Sequence, residues 1–134
     1  MADGKIERKA VLLCKKNANS ALYFRSLKNA ELEVHATENI ADVDGLLSST
    51  GSRVVVHSLE GFERSETTRF HHNICRSAMG SEVQRFMIYR SNNMRAVAFS
   101  LDVGMQKALP QERAAHTIGH AVQMMLQAMH NRDA

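Results

Sequence analysis

The chain has 134 residues, of which 44% are apolar and 23% charged, values that are ordinary for a globular domain. A chain of this length can bury one core, so we expect a single domain over residues 1–134, with its core between about 9 and 130. The formal charge of +3 is small and the basic residues are spread along the chain. A nucleic-acid-binding domain usually concentrates them in one stripe, so a nucleic-acid partner is not expected.

The sequence also disfavours a membrane or secreted protein. No apolar run approaches the roughly 18 residues that a membrane-spanning helix needs. The first ten residues, MADGKIERKA, are charged and lack the apolar stretch of a signal peptide. The two cysteines lie far apart, which disfavours a disulfide scaffold. We therefore expect a cytoplasmic protein with reduced thiols and no membrane partner.

Short apolar runs alternate with helical patterns along the whole chain. The first half predicts, in order, a strand at 11–14, a helix at 20–29, a strand at 31–36, a helix from Asn39 to a left-handed Gly51, and a Val-rich central strand at 53–56. The second half predicts a helix at 63–79 closed by Gly80, a strand at 86–89, a helix from Asn92 or Asn93 to Gly104, a short strand at 105–109, and a last helix from Pro110 to about His130.

This β-α alternation predicts an α/β fold, a three-layer α/β/α sandwich around a five-stranded parallel sheet. In such sheets the functional crevice lies at the carboxyl ends of the strands. The predicted ends carry polar pairs: Lys15 and Lys16, His57 and Ser58, Arg90 and Ser91.

The whole pattern resembles the receiver domain of bacterial response regulators. The segment RAVAFSLDVGMQKALPQERAAHTIGHAVQMML, residues 95–126, is similar to the family's fourth helix, short fifth strand, proline and fifth helix. VLLCKKN looks like the first strand and acidic turn, and RVVVHSLEG looks like the third strand and phosphorylation loop. The resemblance implies the flavodoxin-like strand order 2-1-3-4-5.

Receivers hold Mg²⁺ with an acidic pair after the first strand and accept a phosphoryl group on an aspartate that ends the third. A Ser or Thr after the fourth strand and a Lys after the fifth contact that group. By resemblance, the position of the acidic pair falls on Lys15 and Lys16, and that of the phosphoacceptor falls on Ser58, or on His57 if the register slips by one. The hydroxyl position falls on Arg90 or Ser91. No residue matches the position of the family's lysine, because Lys107 lies too early and Gln111 too late.

These substitutions predict that the receiver chemistry is lost. Two ammonium groups cannot ligate Mg²⁺, which takes oxygen ligands, and Ser58 is no carboxylate. The resemblance thus implies a degenerate receiver without catalytic residues, metal or cofactor. It would act by protein–protein contact or dimerisation in phosphorelay-type signal transduction.

Other interpretations stay open. Lys16, Ser58 and Arg90 could form a small anion site, as in a flavodoxin-like binder of an anionic ligand. The lysines could instead pair with Glu60 or simply be solvated, and the solvated state is the more common one. A receiver with a non-standard acceptor, His57 or Ser58, is a further hypothesis.

The remaining chemistry-bearing residues mostly favour structural roles. His116 and His120 are four apart on the last helix, but no third ligand follows at a fixed spacing, so an exposed or interfacial helix face is expected. The adjacent His71 and His72 are assigned no role. Cys14 and Cys75 are expected to be small buried apolar residues.

Eight methionines are many for this length. Met125 and Met129 fall on the apolar stripe of the last helix, which predicts core packing. In receivers the fourth helix, fifth strand and fifth helix form the usual partner surface. By resemblance we expect a protein partner or a second copy to bind around Met94, Lys107, Gln123 and Met124.

Overall fold

The structure is a computed structural model that describes residues 8–17, 19–76, 83–90, 92–102 and 107–133. The predicted alternation of strands and helices is confirmed. The elements are β1 (Lys9–Leu13), α1 (Ser20–Asn29), β2 (Glu33–Thr37), a 3-10 turn (Ile40–Asp42), α2 (Val43–Thr50), β3 (Val54–Ser58), α3 (Arg64–Arg76), β4 (Gln84–Tyr89), α4 (Met94–Asp102), β5 (Lys107–Pro110) and α5 (Gln111–Asp133).

The five strands form one parallel sheet in the order β2-β1-β3-β4-β5, so the expected fold class and strand order are confirmed. β3 lies at the centre and all five of its residues are buried. A run of valines suits this position, because a central parallel strand is covered on both faces.

Side chains alternate between two core layers, as the pleat of a strand requires. Leu12 and Val56 pack in the layer that holds Tyr23 of α1 and Ile118 of α5. Val11, Leu13 and Val55 pack in the opposite layer, which also holds Val43 of α2 and Phe70 of α3. Met129 is buried in the first layer and Met125 packs against it, which confirms the predicted core role of both methionines.

The ends of α2 follow the predicted local chemistry. Asn39 accepts the backbone N–H of Ala41 at 3.0 Å, at the start of the 3-10 turn that leads into α2. Gly51 follows the helix with a φ of 74°. This left-handed conformation is easily reached by glycine, which has no Cβ.

Several predicted boundaries shift. β1 starts at Lys9 and ends at Leu13, and α5 continues to Asp133. β3 extends to Ser58 because His57 and Ser58 still pair with Met87 and Ile88 of β4. Polarity therefore did not mark the end of this strand. The predicted helix ends at Gly80 and Gly104, and residues 105–106 of the expected fifth strand, lie outside the described residues.

α1 and α5 pack closely against each other at Gly119. Its backbone N–H donates to Ser26 Oγ at 3.0 Å. A Cβ at Gly119 would lie 2.0 Å from the carbonyl oxygen of Ser26. The absence of a side chain here therefore lets the two helix backbones touch. Within the described residues, no helix combines the length and apolar character needed to cross a bilayer.

Candidate functional site

The polar ends of the strands meet at one edge of the sheet, where the parallel topology predicts a crevice. Lys15 follows β1, Ser58 ends β3, Arg90 follows β4 and Gln111 follows β5. Glu60, in the loop between β3 and α3, contacts two of these strand ends.

Glu60 supplies the carboxylate at the centre of this crevice. Its Oε2 accepts a hydrogen bond from Gln111 Nε2 at 3.0 Å and lies 3.5 Å from Arg90 Nε. The Arg90 side chain is 70% exposed and that of Glu60 30%, so solvent screens the ion pair. The hypothesis that Glu60 pairs with Lys15 or Lys16 is wrong in this structure, since its ion-pair partner is Arg90.

Lys15 packs against the loop that follows β3. Its Nζ lies 4.7 Å from the centre of the Phe62 ring, a cation–π distance. A Cβ at Gly61, whose φ is +87°, would lie 2.8 Å from Lys15 Cγ. The stem of Lys15 thus occupies the space beside Gly61, and its charge sits over an aromatic face, not in bulk water.

Lys16 turns away from the crevice. Its side chain is exposed, and its backbone N–H donates to Glu38 Oε1 at 2.7 Å, beyond the end of β2. It lines a separate cleft between α1 and β2. The structure therefore does not bring Lys16 together with Arg90, as the three-residue anion site required. Ser91, the alternative hydroxyl position, lies outside the described residues.

Ser58 lies where the resemblance places the phosphoacceptor, and it is 1% exposed. Cys14, the residue that directly follows β1, is its neighbour. Burial raises the pKa of the Cys14 thiol to about 11; the Ser58 hydroxyl opposes this shift, and the carboxylates of Glu60 and Glu38 add to it. Cys14 is therefore a protonated, buried thiol at neutral pH, as expected of a small apolar residue.

We predict that Cys14 resists alkylation in the native protein, because a thiol with a raised pKa supplies little of the nucleophilic thiolate. Iodoacetamide at pH 8 followed by peptide mapping should find Cys14 labelled only after denaturant is added. Mapping by peptide separates this thiol from Cys75. Rapid native labelling of Cys14 would contradict the prediction.

A buried histidine pair lies directly beneath the crevice. His57 Nδ1 is 2.9 Å from His71 Nε2, and both side chains are 0% exposed. Arg85 Nη1 is 3.3 Å from His71 Nδ1. Arginine only donates, so His71 Nδ1 accepts, and the proton of His71 must lie on Nε2. His71 therefore donates to His57 Nδ1, and this pairing defines the tautomers of both rings.

The pair is neutral at neutral pH. Burial lowers the pKa of His57. Burial also lowers the pKa of His71, and electrostatic repulsion between its charged form and the nearby His57, Arg85 and His72 lowers it further. His71 therefore has a structural role in the core, which the sequence did not predict. Adjacent helical residues point about 100° apart, which buries His71 against β3 and β4 and leaves His72 exposed. The residue three before His71 is the polar Thr68 and the residue three after it is the apolar Ile74, so the helical pattern gave little signal that His71 is buried.

The two histidines of α5 have the exposed setting that their spacing predicted. His116 and His120 are both exposed and line a shallow cleft with Leu22 and Arg25 of α1. Among the residues that the structure describes, no group of three or more His, Cys, Asp or Glu is arranged to hold a metal ion.

The expected partner residues have different surroundings. Lys107 is exposed, and Met124 is 58% exposed, a large value for an apolar side chain. Gln123 is half-buried and lies on the α1 side of α5, where it lines the cleft with Leu22. The side chain of Met94 lies outside the described part of the chain. A partner contact at these four residues stays a prediction.

Neither a protein-family model nor a curated protein sequence matches this chain. Solved structures do match. A CheY-like response regulator receiver domain protein from Methanospirillum hungatei superposes with a TM-score of 0.73 at 10% identity, over 95% of this chain and 98% of that one. A CheY-like protein, TadZ, from Pseudomonas aeruginosa gives 0.72 at 13% identity, over 87% and 98%. A response regulator from Desulfuromonas acetoxidans gives 0.72 at 10% identity, over 90% and 97%.

The chain therefore has the CheY-like receiver fold of response regulators, as the sequence resemblance implied. At identities this low the likeness concerns the fold. The function of the crevice depends on its own residues.

Proposed function

We propose that this chain is a non-catalytic signalling module with the receiver fold, which works by binding a protein partner or a second copy and accepts no phosphoryl group. The observation that carries the proposal is the crevice itself. The strand ends that should hold a metal and an acceptor carboxylate present Lys15 and Ser58, and Glu60 is bound by Arg90 and Gln111.

Glu60 suggests how such a module could work without phosphate. In receivers, groups after the fourth and fifth strands contact the phosphoryl anion. Here Arg90 and Gln111 follow those same two strands and contact a carboxylate of the chain itself. In our proposal Glu60 takes the place of the added anion and biases the crevice toward one state. The module would then need no phosphoryl group to reach the state that binds its partner.

Burial argues against a non-standard phosphoacceptor. His57 is 0% exposed and Ser58 1% exposed. A phosphodonor must approach the attacking atom in line. Neither the His57 ring nor the Ser58 hydroxyl is accessible to solvent, so a phosphodonor cannot reach them. His57 Nδ1 is also engaged by His71. A small anion in the crevice would have to compete with Glu60 for Arg90, which makes that alternative the weaker one.

We expect Mg²⁺ with beryllofluoride, a mimic of the aspartyl phosphate, to change neither the melting temperature nor the oligomeric state of the protein. The mimic needs a carboxylate ligand and a bound divalent cation, and the strand ends supply lysine and serine in their place. Thermal melts and size measurements check this. Stabilisation or dimerisation, or transfer of phosphate from a small phosphodonor, would show a working receiver and overturn the proposal.

The role of Glu60 can be tested separately. Glu60→Gln should shift the side-chain NMR signals of Arg90 and Gln111 and alter the self-association or partner affinity of the module. The matched control Glu63→Gln removes an exposed carboxylate nearby and should do neither. Because the Glu60–Arg90 pair is partly exposed, Glu60→Gln should cost less than about 1 kcal/mol of stability. Identical behaviour of both variants would count against the proposed bias.

A further inference from the structure

A second cleft lies away from the strand-end network, between α1 and the edge strand β2. Its volume is about 780 Å³, within the usual range for small-molecule sites. Leu12 of β1 and Ala36 of β2 line one wall, and Ala21 and Phe24 of α1 line the other. Binding in this cleft would be independent of the proposed signalling function.

The cleft exposes apolar surface that the fold could have buried. α1 buries Tyr23 and Leu27 completely, whereas Phe24 remains 40% exposed. The lining residues Ala21 and Ala36 are small and themselves exposed, so they leave space beside the phenyl ring. An apolar group entering the cleft would cover Phe24, and burying such apolar surface favours a complex.

The rim of the cleft is positively charged. Lys16, Arg25 and Lys28 line it, and no ion pair joins them to a carboxylate within the described residues. Glu38 is the acidic residue of the lining, and it accepts the backbone N–H of Lys16 at 2.7 Å. The positive end of the α1 dipole, at Ser20, also faces the cleft.

We propose that this cleft binds a small amphipathic anion, a molecule with an acyl chain or ring and one anionic head group. The apolar body would lie on Phe24 and Leu12, and the carboxylate or phosphate head would bind at the rim beside Arg25 and Lys28. An acidic peptide strand added to the edge of β2 would meet the exposed Glu31 and Glu33, which favours a small ligand over a peptide.

The test uses three amphiphiles of equal chain length on the full chain, below their micelle-forming concentrations. Decanoate and decyl phosphate carry the proposed head groups, and decanol is the neutral control. Calorimetric titration should give saturable one-to-one binding of at least one anion, with decanol at least about tenfold weaker because charge-assisted contacts are lost. The ratio of the affinities for decanoate and decyl phosphate identifies the preferred head group.

Two variants locate the binding. Ala36→Phe fills the cleft from an exposed position, and Arg25→Ala/Lys28→Ala removes two rim charges. Each should weaken anion binding at least about tenfold. The matched controls, Ala128→Phe on α5 and Arg69→Ala/Arg113→Ala on α3 and α5, change exposed residues of the same type elsewhere and should bind as the wild type does.

Amide NMR of the wild-type protein gives a readout that needs no variant. Decanoate should shift the signals of Leu12, Ala21 and Ala36. Absence of saturable binding, equal affinity for decanol, or unchanged binding by both variants would overturn the proposal. So would a wild-type dimer that Ala36→Phe dissociates, because a second copy would then cover the cleft. Failure here leaves the proposed signalling function intact, since the beryllofluoride result is independent of this cleft.

Discussion

Gly119→Ala should lower the free energy of unfolding by about 3 kcal/mol or more, the upper range for overpacking a core. The new Cβ would lie 2.0 Å from the backbone oxygen of Ser26 and 3.1 Å from the Cβ of Ala30. A backbone oxygen cannot rotate aside as a side chain can, so α1 and α5 would have to separate. That movement would also lengthen the hydrogen bond from Gly119 N–H to Ser26 Oγ. Urea unfolding followed by circular dichroism measures the loss.

Gly45→Ala is the matched control. Gly45 lies inside α2, and a Cβ there would meet nothing within 4 Å. Glycine loses more backbone conformational entropy than alanine when it enters a helix, so this variant should gain about 0.5–1 kcal/mol of stability. Changes of the same sign and size in both variants would show that the contact between α1 and α5 is looser than described.

Acid should unfold this protein earlier than a receiver-fold protein without buried histidines. His57 and His71 ordinarily have a pKa of 6.5 when unfolded, and burial lowers both values in the folded state. The unfolded state therefore binds more protons than the folded state below pH 6.5. The free energy of unfolding keeps its full value above that pH and decreases as the pH falls below it. Each histidine can remove up to about 1.4 kcal/mol per pH unit. Urea unfolding between pH 7.5 and pH 4.5 measures the slope.

His71→Gln separates the histidine effect from general acid denaturation. It should cost about 1–3 kcal/mol at pH 7, because a buried hydrogen-bond network is disturbed. Below pH 6.5 its stability should fall less steeply than that of the wild type, since one titrating group is gone. His72→Gln, at the exposed neighbour, should keep the wild-type slope. A wild-type slope in His71→Gln would mean that other groups cause the acid sensitivity.

The two lysines after β1 do not form one binding site, because their side chains lie in different places. Lys15 packs on Phe62 and Gly61, and Lys16 faces the cleft beside α1. Neighbouring residues after a strand diverge, so a doubly basic sequence does not imply a doubly basic site. The crevice charge is instead organised around Glu60.

Local patterns in the sequence determined most of the architecture. The valine run of β3, the left-handed Gly51 and the apolar stripe of α5 each depend on neighbours close in the chain, and each was predicted correctly. Their alternation was enough to specify a parallel α/β sheet, because few topologies satisfy right-handed crossovers. The resemblance then supplied the strand order.

Only the tertiary structure decided the contacts between residues distant in sequence. Gln111 meets Glu60 from 51 positions away, and His71 meets His57 from 14. The sequence around Gly119 does not indicate that this glycine contacts Ser26 of α1. Hydrophobic periodicity indicates which face of a helix or strand is buried. It does not indicate which polar groups from other elements contact that face. That pairing follows from the packing of α1, α3 and α5 against the sheet. The sequence by itself therefore determined the secondary structure and the fold class, and only the tertiary structure determined which polar groups meet.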